Sequence, residues 1–257
     1  MEQLKQRLDA LVEKYNHPAL FQDDPVSFPR RYSDKRDIEI SAFVTSVISW
    51  GRRPMILRSA ERIDTILWHQ PLKFILEGDI DAIGEENIHR TFFGRHLRYM
   101  LRGLRHIYSK YGSLEDFAIQ CGATAKEAPS WALAAAMNDV FNQENQLCAM
   151  PLDGPTRCLP ADVDTSALKR FNMAIRWLVR NDGKVDLGVW DAIKPSQLFI
   201  PLDVHSARTA RDLGLLTRKA NDRRAVIELT QNLRLFNPSD PTIYDFALFG
   251  AGEAGEL

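Results

Sequence analysis

Apolar side chains recur along this chain at helical spacing. Leu4, Leu8, Leu11 and Val12 fall at i, i+4, i+7 and i+8, so residues 2–15 read as an amphipathic helix. The next stretch, Asn16 to Arg31, holds His17-Pro18, Asp24-Pro25 and Phe28-Pro29 and reads as an irregular connection. A long helical region begins near Asp37. Its apolar run Ile40 to Trp50 predicts a buried helix that stops at Gly51, a residue suited to a helix C-cap. Pro54 suits the first turn of the following helix, whose periodic positions are Ile56, Leu57, Ala60, Ile63, Ile66 and Leu67. Residues 92–111 repeat the pattern with Leu97, Met100, Leu101, Leu104, Ile107 and Tyr108, and residues 130–142 give an Ala-rich helix.

A segment bearing Pro, Gly and Cys, Met150 to Asp164, separates the two halves. Thr165-Ser166 offers an N-cap for a helix reaching about Arg180, which Asp182-Gly183 ends. Turn residues then fill the chain to Pro201. Asp203 caps a helix that stops at Gly214, and residues 222–234 and 241–250 supply the last helices. No run alternates apolar and polar residues as a half-buried strand would, and no repeat of fixed period is present. The expected fold class is all-α, in two helical lobes around a cleft: residues 38–150 in one, residues 1–37 with 151–257 in the other.

Composition changes this picture little. Hydrophobic residues make up 45% and charged residues 26%, as in ordinary globular proteins, which excludes collagen-like and strongly disordered classes. The formal net charge of −1 excludes a strongly basic chromatin-like protein, but a nucleic-acid binder needs only a local basic surface. Cys121, Cys148 and Cys158 are odd in number and widely spaced, so no disulfide framework and no zinc or iron–sulfur site is expected. The N-terminal residues lack the apolar run of a signal peptide, and no 18-residue apolar stretch exists to span a membrane. A cytoplasmic location follows as the expectation.

Two stretches carry candidate chemistry. At 100° per residue, Arg176 and Arg180 each return to within about 20° of the direction of Lys169. The three cations form a stripe opposite Leu168, Phe171, Ile175 and Leu178. Such a stripe fits a solvated face. It also fits an anion-binding face on which like charges and desolvation favour a neutral, nucleophilic Lys169 amine. The second stretch is Pro201-Leu-Asp203-Val-His205-Ser-Ala-Arg208. Asp203 reads as a helix cap, and Asp203 with His205 lacks a third metal ligand at recognisable spacing, so no metal and no cofactor are expected. On another helix, Arg95, Arg98, Arg102 and Arg105 share one face, which suits either solvent or a DNA track.

Together these residues resemble a known superfamily. Pro-Leu-Asp203-Val-His205, followed by Ala-Arg-Thr-Ala-Arg-Asp-Leu-Gly-Leu, is similar to the catalytic segment of the helix-hairpin-helix base-excision DNA glycosylases, which include endonuclease III, MutY and the 8-oxoguanine glycosylases. Ile48-Ser-Trp50-Gly51-Arg52-Arg53 resembles the loop that fills the gap left by a flipped nucleotide. Tyr244-Asp245-Phe-Ala-Leu-Phe249-Gly-Ala-Gly resembles the closing helix. The whole chain also resembles a bacterial family without assigned function that is itself similar to a distant branch of this superfamily. Lys169 precedes Asp203 by 34 residues, a gap similar to that of the archaeal 8-oxoguanine glycosylases. The chain departs from the pattern where a Leu-Pro-Gly-x-Gly hairpin would precede the lysine: it has Pro160-Ala-Asp-Val-Asp-Thr-Ser.

The resemblance implies a DNA-repair glycosylase excising a damaged base, with oxidised purine as the expected substrate. A monomer would act on double-stranded DNA with one base flipped out. Asp203 would stabilise the cationic sugar, and Lys169 would attack C1′ to give a Schiff base and AP-lyase activity. His205, Arg208 and Arg176 would contact phosphate, Trp50 or Arg52 would wedge into the stack, Arg53 would bind DNA beside them, and Asp245 and Phe249 would line the base pocket. Two rivals stand beside it: a non-catalytic DNA-binding protein on the same scaffold, favoured by the missing hairpin glycines, and an unrelated helical hydrolase using Asp203 and His205.

Overall fold

A computed structural model describes residues 2–148 and 156–256. Helix accounts for 62% of it and strand for 2%, so the protein is all-α. The eleven α-helices among the described residues are α1 (Glu2–Tyr15), α2 (Lys35–Val47), α3 (Arg53–Ile66), α4 (Pro71–Glu77), α5 (Gly94–Tyr111), α6 (Leu114–Gln120), α7 (Pro129–Leu147), α8 (Lys169–Val179), α9 (Val204–Asp212), α10 (Arg223–Arg234) and α11 (Tyr244–Ala254). Between α4 and α5, β1 (Asn87–His89) and β2 (Phe92–Phe93) pair antiparallel in a small hairpin. No helix among the described residues is long and apolar enough to cross a membrane. Cys121 and Cys148 are exposed, Cys158 is buried, and all are free thiols.

The chain divides into two compact units. The first is Met1–Gln22, Glu127–Ser130 and Asp164–Leu257; the second is Asp23–Lys126 and Trp131–Val163. Residues 23–37 and 156–163 thus belong with the second unit, whereas the sequence reading put them with the Lys169-bearing lobe. Of the divide expected over 150–164, residues 150–155 lie outside the described residues.

In the first unit α11 is apolar nearly all round, with Tyr244, Phe246, Ala247, Leu248 and Ala251 buried, as suits a helix enclosed by others. It packs against both α1 and α9. At Gly250 the approach to α1 is so close that a Cβ would sit 2.3 Å from Tyr15 Cγ, so no larger residue fits this crossing. In the second unit α2 is buried along its whole length from Ile38, as its unbroken apolar run predicts. The α5 positions Leu97, Met100, Leu101, Leu104 and Ile107 have no exposed surface.

Several boundaries differ from the sequence reading. Helix α2 stops at Val47, short of Trp50, and Gly51 at φ +97° makes a later bend rather than the cap. Two helices of seven residues each, α4 and α6, and the β1–β2 hairpin escaped notice, because they are too short for a period to register. Helix α8 begins at Lys169, not at Thr165-Ser166. Ser166 Oγ accepts from the Leu168 N–H at 3.2 Å, a local turn that competes with helix at that point.

Candidate active site

The first unit brings Lys169 and Asp203 together. Lys169 is the first residue of α8, preceded by Leu168 in the left-handed region at φ +48° and ψ 34°. A non-glycine residue there carries backbone strain. Leu168 tolerates it with a buried side chain and a carbonyl that accepts from Asn172 N–H at 2.8 Å. Asp203 caps α9 by accepting the Ser206 N–H on Oδ1 at 2.7 Å. Its other oxygen, Oδ2, lies 3.3 Å from Lys169 Nζ, with the lysine side chain 38% exposed and the aspartate 11%. A lysine in the first turn of a helix sits at the positive end of the helix dipole, and Asp203 supplies the opposite charge.

The rest of the expected cationic stripe is built differently. Arg176 and Arg180 are buried and engaged by carboxylates, so neither forms a solvated or anion-binding face. Arg176 Nη1 donates to Asp245 Oδ2, and its Nε lies 3.3 Å from Asp186 Oδ1. Arg180 Nε donates to both Asp240 oxygens at 3.0 and 2.9 Å, and its Nη1 reaches Asp182 at 3.2 Å and Asp186 as well. The Phe246 ring lies 4.5 Å from the Arg176 guanidinium and 5.4 Å from that of Arg180. Arg176 as a phosphate contact is therefore corrected. The like-charge crowding of Lys169 falls with it, since both arginine charges are balanced locally.

The carboxylates respond to this enclosure. Burial pushes the Asp245 carboxyl up to about 6, Arg176 and Lys169 pull against that, and Asp203 and Asp186 add to it. Burial likewise raises Asp186 although Arg176 and Arg180 oppose the rise. Burial disfavours the charge on Arg180, but Asp186 and Asp240 outweigh it and push its pKa further up. Asp245 is thus no open base reader: one oxygen holds Arg176, and its side chain keeps 11% of its surface exposed. Phe249, one turn on, is half-buried. His205 and Arg208 stand on the exposed face of α9; the Arg208 side chain is 85% exposed, with Nε 3.8 Å from Asp212.

Sequence reasoning missed the partners that decide this site: Asp182, Asp186 and Asp240. Asp182 and Asp240 look like ordinary turn residues beside Gly183 and Pro241, and no local pattern marks Asp186 as a buried counter-ion.

Trp50, Arg52 and Arg53 belong to the second unit. Trp50 is half-buried, and Arg52 is the exposed residue that precedes α3. The α5 arginines do not form the track considered for them. Arg98 pairs with Glu85, Arg102 with Asp81 and Asn145, and Arg105 donates to the Ile75 carbonyl at 2.5 Å and to that of Gly78. Arg95 lies 3.8 Å from Glu85.

Among the described residues, the side chains able to converge on a metal are Glu61, Asp64 and His69, with ligand atoms within 4.8 Å of one another, and not Asp203 and His205. Arg31 already bridges this group, at 2.8 Å from Glu61 and 3.0 Å from Asp64, so a guanidinium supplies the cation there.

No curated protein and no solved structure matches the chain. A family model described as "Protein of unknown function (DUF2400)" matches residues 24–254, and the chain belongs to that family.

Proposed function

We propose that the protein is a DNA-repair glycosylase, glycosylase-like in fold, that excises an oxidised purine from double-stranded DNA and nicks the strand through a Lys169 Schiff base. The observation that carries the reading is the 3.3 Å approach of Lys169 Nζ to Asp203 Oδ2, across 34 residues of sequence. An amine able to attack carbon beside a carboxylate able to stabilise a cation is the pair such chemistry needs. The motif resemblance around Asp203 supports the same roles.

The step balances as follows. Lys169, 38% exposed, sheds its proton to water, Asp203 stays ionised, and the neutral amine bonds to C1′. The C1′–N bond breaks with its electron pair leaving on the base, which takes a proton. Ring opening gives an imine, loss of a C2′ proton breaks the C3′–O bond, and water releases the lysine. Asp203 steadies the positive charge that develops on the sugar, and it keeps its orientation because its other oxygen is fixed by the α9 cap.

The absence of Gly-x-Gly before Lys169 favours a second reading, a DNA-binding protein that keeps the scaffold without the chemistry. Leu168 occupies a left-handed position where a glycine would be unstrained. One experiment separates the two: borohydride trapping on duplexes carrying 8-oxoguanine or an abasic site. The glycosylase reading expects a covalent adduct with the wild type, none with Lys169→Gln, and greatly slowed base release with Asp203→Asn. Undiminished trapping by Lys169→Gln ends the lyase assignment. Salt-dependent binding with no base release from any lesion leaves the binding protein.

A further inference from the structure

We infer that Asn172 is a positioning residue: its side-chain amide holds a left-handed turn at Leu168 that ends α8 at Lys169, so that the lysine amine reaches past the helix end to Asp203. The turn and both members of the pair belong to the first unit. The catalytic consequence rests on the reading above; the turn itself does not.

Helix α8 starts against local preference. An N-cap is ordinarily extended and offers a side-chain oxygen to the first turn. Leu168 stands in that place with left-handed φ and ψ of +48° and 34° and makes no side-chain cap. Thr165-Ser166, just upstream, is the better cap by residue type, and a helix opened there needs no left-handed residue. Such an extension would change what surrounds Lys169. A helical side chain leans toward the N-terminus and lies over the turn before it. With that turn present the lysine would lie along it. With α8 ending at Lys169, the amine projects beyond the helix to 3.3 Å from Asp203 Oδ2.

The hydrogen bonds show what prevents the extension. In a continuous helix the Thr165 and Ala167 carbonyls would accept from the N–H groups of Lys169 and Phe171. Here both carbonyls serve other donors. That of Thr165 accepts the Arg223 N–H, at the start of α10, at 2.9 Å. That of Ala167 accepts Asn172 Nδ2 at 3.1 Å. Ser166 Oγ takes the Leu168 N–H at 3.2 Å, and the Leu168 carbonyl accepts the Asn172 N–H at 2.8 Å. Asn172 therefore brackets Leu168, binding the carbonyl before it with its side chain and its own carbonyl with the backbone.

Burial argues that the amide is there for this bond. Asn172 is 1% exposed, and its Oδ1 meets no partner among the described residues. An idle buried oxygen costs stability, and an apolar side chain would pack there at less cost. The contact with Ala167 is what the amide supplies in return. A reacting group displaced by about 1 Å loses on the order of a hundredfold in rate, so a turn that places the amine bears directly on turnover.

The test uses the full chain and two readouts. One is borohydride trapping on a duplex carrying an abasic site. The other needs no DNA. Lysines are dimethylated with isotope-labelled formaldehyde, which keeps their charge, and the NMR signal of Lys169 is identified by its absence from Lys169→Gln. In the wild-type background this signal is expected to shift when Asp203→Asn is introduced. Asn172→Leu is expected to abolish that response and to slow trapping at saturating DNA by about tenfold or more. Leu168→Ile, of equal composition but branched at Cβ and so excluded from the left-handed region, is expected to do the same. Leu168→Met, unbranched at Cβ, is expected to keep both readouts. Adding Leu168→Gly to Asn172→Leu is expected to restore them, since glycine adopts the turn unaided; a role in packing alone would give no such rescue. Where Asn172→Leu does not fold, Asn172→Ser, too short to reach the Ala167 carbonyl, replaces it. Undiminished trapping or an intact Lys169 response in the Asn172 variant overturns the proposal. So does a folded double variant no better than Asn172→Leu. A wild-type signal indifferent to Asp203→Asn overturns both the turn's role and the pairing behind the proposed function. Responses as expected, with no trapping by wild type, uphold the turn and remove only the catalytic reading.

Discussion

Arg176 and Arg180 of α8 and Arg52 beside Gly51 are equally conspicuous in the sequence, Arg90 is brought to Gly51 only by the fold, and the fold treats the two groups in opposite ways. Arg176 and Arg180 point into the first unit, where Asp182, Asp186, Asp240 and Asp245 surround them. Arg52 and Arg90 face solvent in the second unit with no such partners among the described residues. A buried arginine must bring its counter-ions with it, because an uncompensated interior charge costs far more than a folded domain can spare. An exposed one keeps its hydration and remains available to an outside anion. A cationic stripe is therefore evidence of a binding face only where the carboxylates that would neutralise it are absent. For α8 they arrive from as far as Asp245, 69 residues beyond Arg176.

The sharpest way to break this contrast is to remove one buried cation. Arg180→Met keeps much of the side-chain volume but strips Asp240 of its cation and leaves Asp186 with Arg176 alone. It is expected to destabilise the protein by about 3–5 kcal/mol, the range for one-sided loss of a buried ion pair. Urea denaturation measures it. A loss below about 1 kcal/mol would mean that water reaches the cluster and that the two groups of arginines differ less than their burial says.

Next in size is a pH effect. The Asp245 carboxyl titrates at about 6 in the folded protein, against an ordinary value of 3.8. The folded state thus holds an extra proton between these limits, and stability falls as pH rises from about 4 to about 6, then levels off. The rise from 3.8 to about 6 corresponds to roughly 3 kcal/mol. Asp186, also raised by burial, acts in the same direction. Asp222, lowered to about 2 by Arg218, acts in the opposite direction and only below about pH 4, where its contribution is lost. Unfolding free energies at pH 4, 5, 6 and 7 are expected to show the decline, and Asp245→Asn to flatten it. Parallel profiles for the two proteins would remove Asp245 from the charge cluster.

Much of the helical skeleton was legible in advance, and for one reason. Long helices such as α1, α3 and α5 repeat their apolar positions often enough for a period to show. Asp203 caps α9 through a direct side-chain bond, as its place in the sequence predicts, because a cap acts locally. What stayed hidden depends on distant residues. The start of α8 was misplaced by a few residues, because Ser166 bonds Leu168 instead of opening the helix. The pairing of Lys169 with Asp203 was anticipated by resemblance and not by spacing, since nothing local sets the distance between groups 34 residues apart. The burial of Arg176 and the contact of Arg90 with Gly51 belong to tertiary structure alone.

Within α8 itself the contrast can be sharpened further. Lys169 faces a carboxylate as Arg180 does, but its side chain is 38% exposed and its pair with Asp203 is screened by solvent. Lys169→Gln is expected to change stability by less than about 1 kcal/mol, even while it abolishes borohydride trapping. A large loss of stability would recast the pair as structural, and the trapping result would then report unfolding rather than chemistry.

The smallest expected effect is the most pointed one. Arg90→Gln removes an exposed charge with no ion pair among the described residues, so the unfolding free energy is expected to stay within about 0.5 kcal/mol of wild type. The backbone at Arg90 is left-handed, and glutamine tolerates that conformation no better than arginine, so the substitution neither relieves nor adds strain. Any change in DNA affinity is then a change in contact and not in fold. Arg180→Met is expected to give the reverse pattern, a large loss of stability and, in the fraction that remains folded at low temperature, an unaltered salt slope. If instead Arg90→Gln proves as destabilising as Arg180→Met, the hairpin arginine is a structural clamp on Gly51, and an exposed guanidinium is no better a sign of a binding face than a buried one.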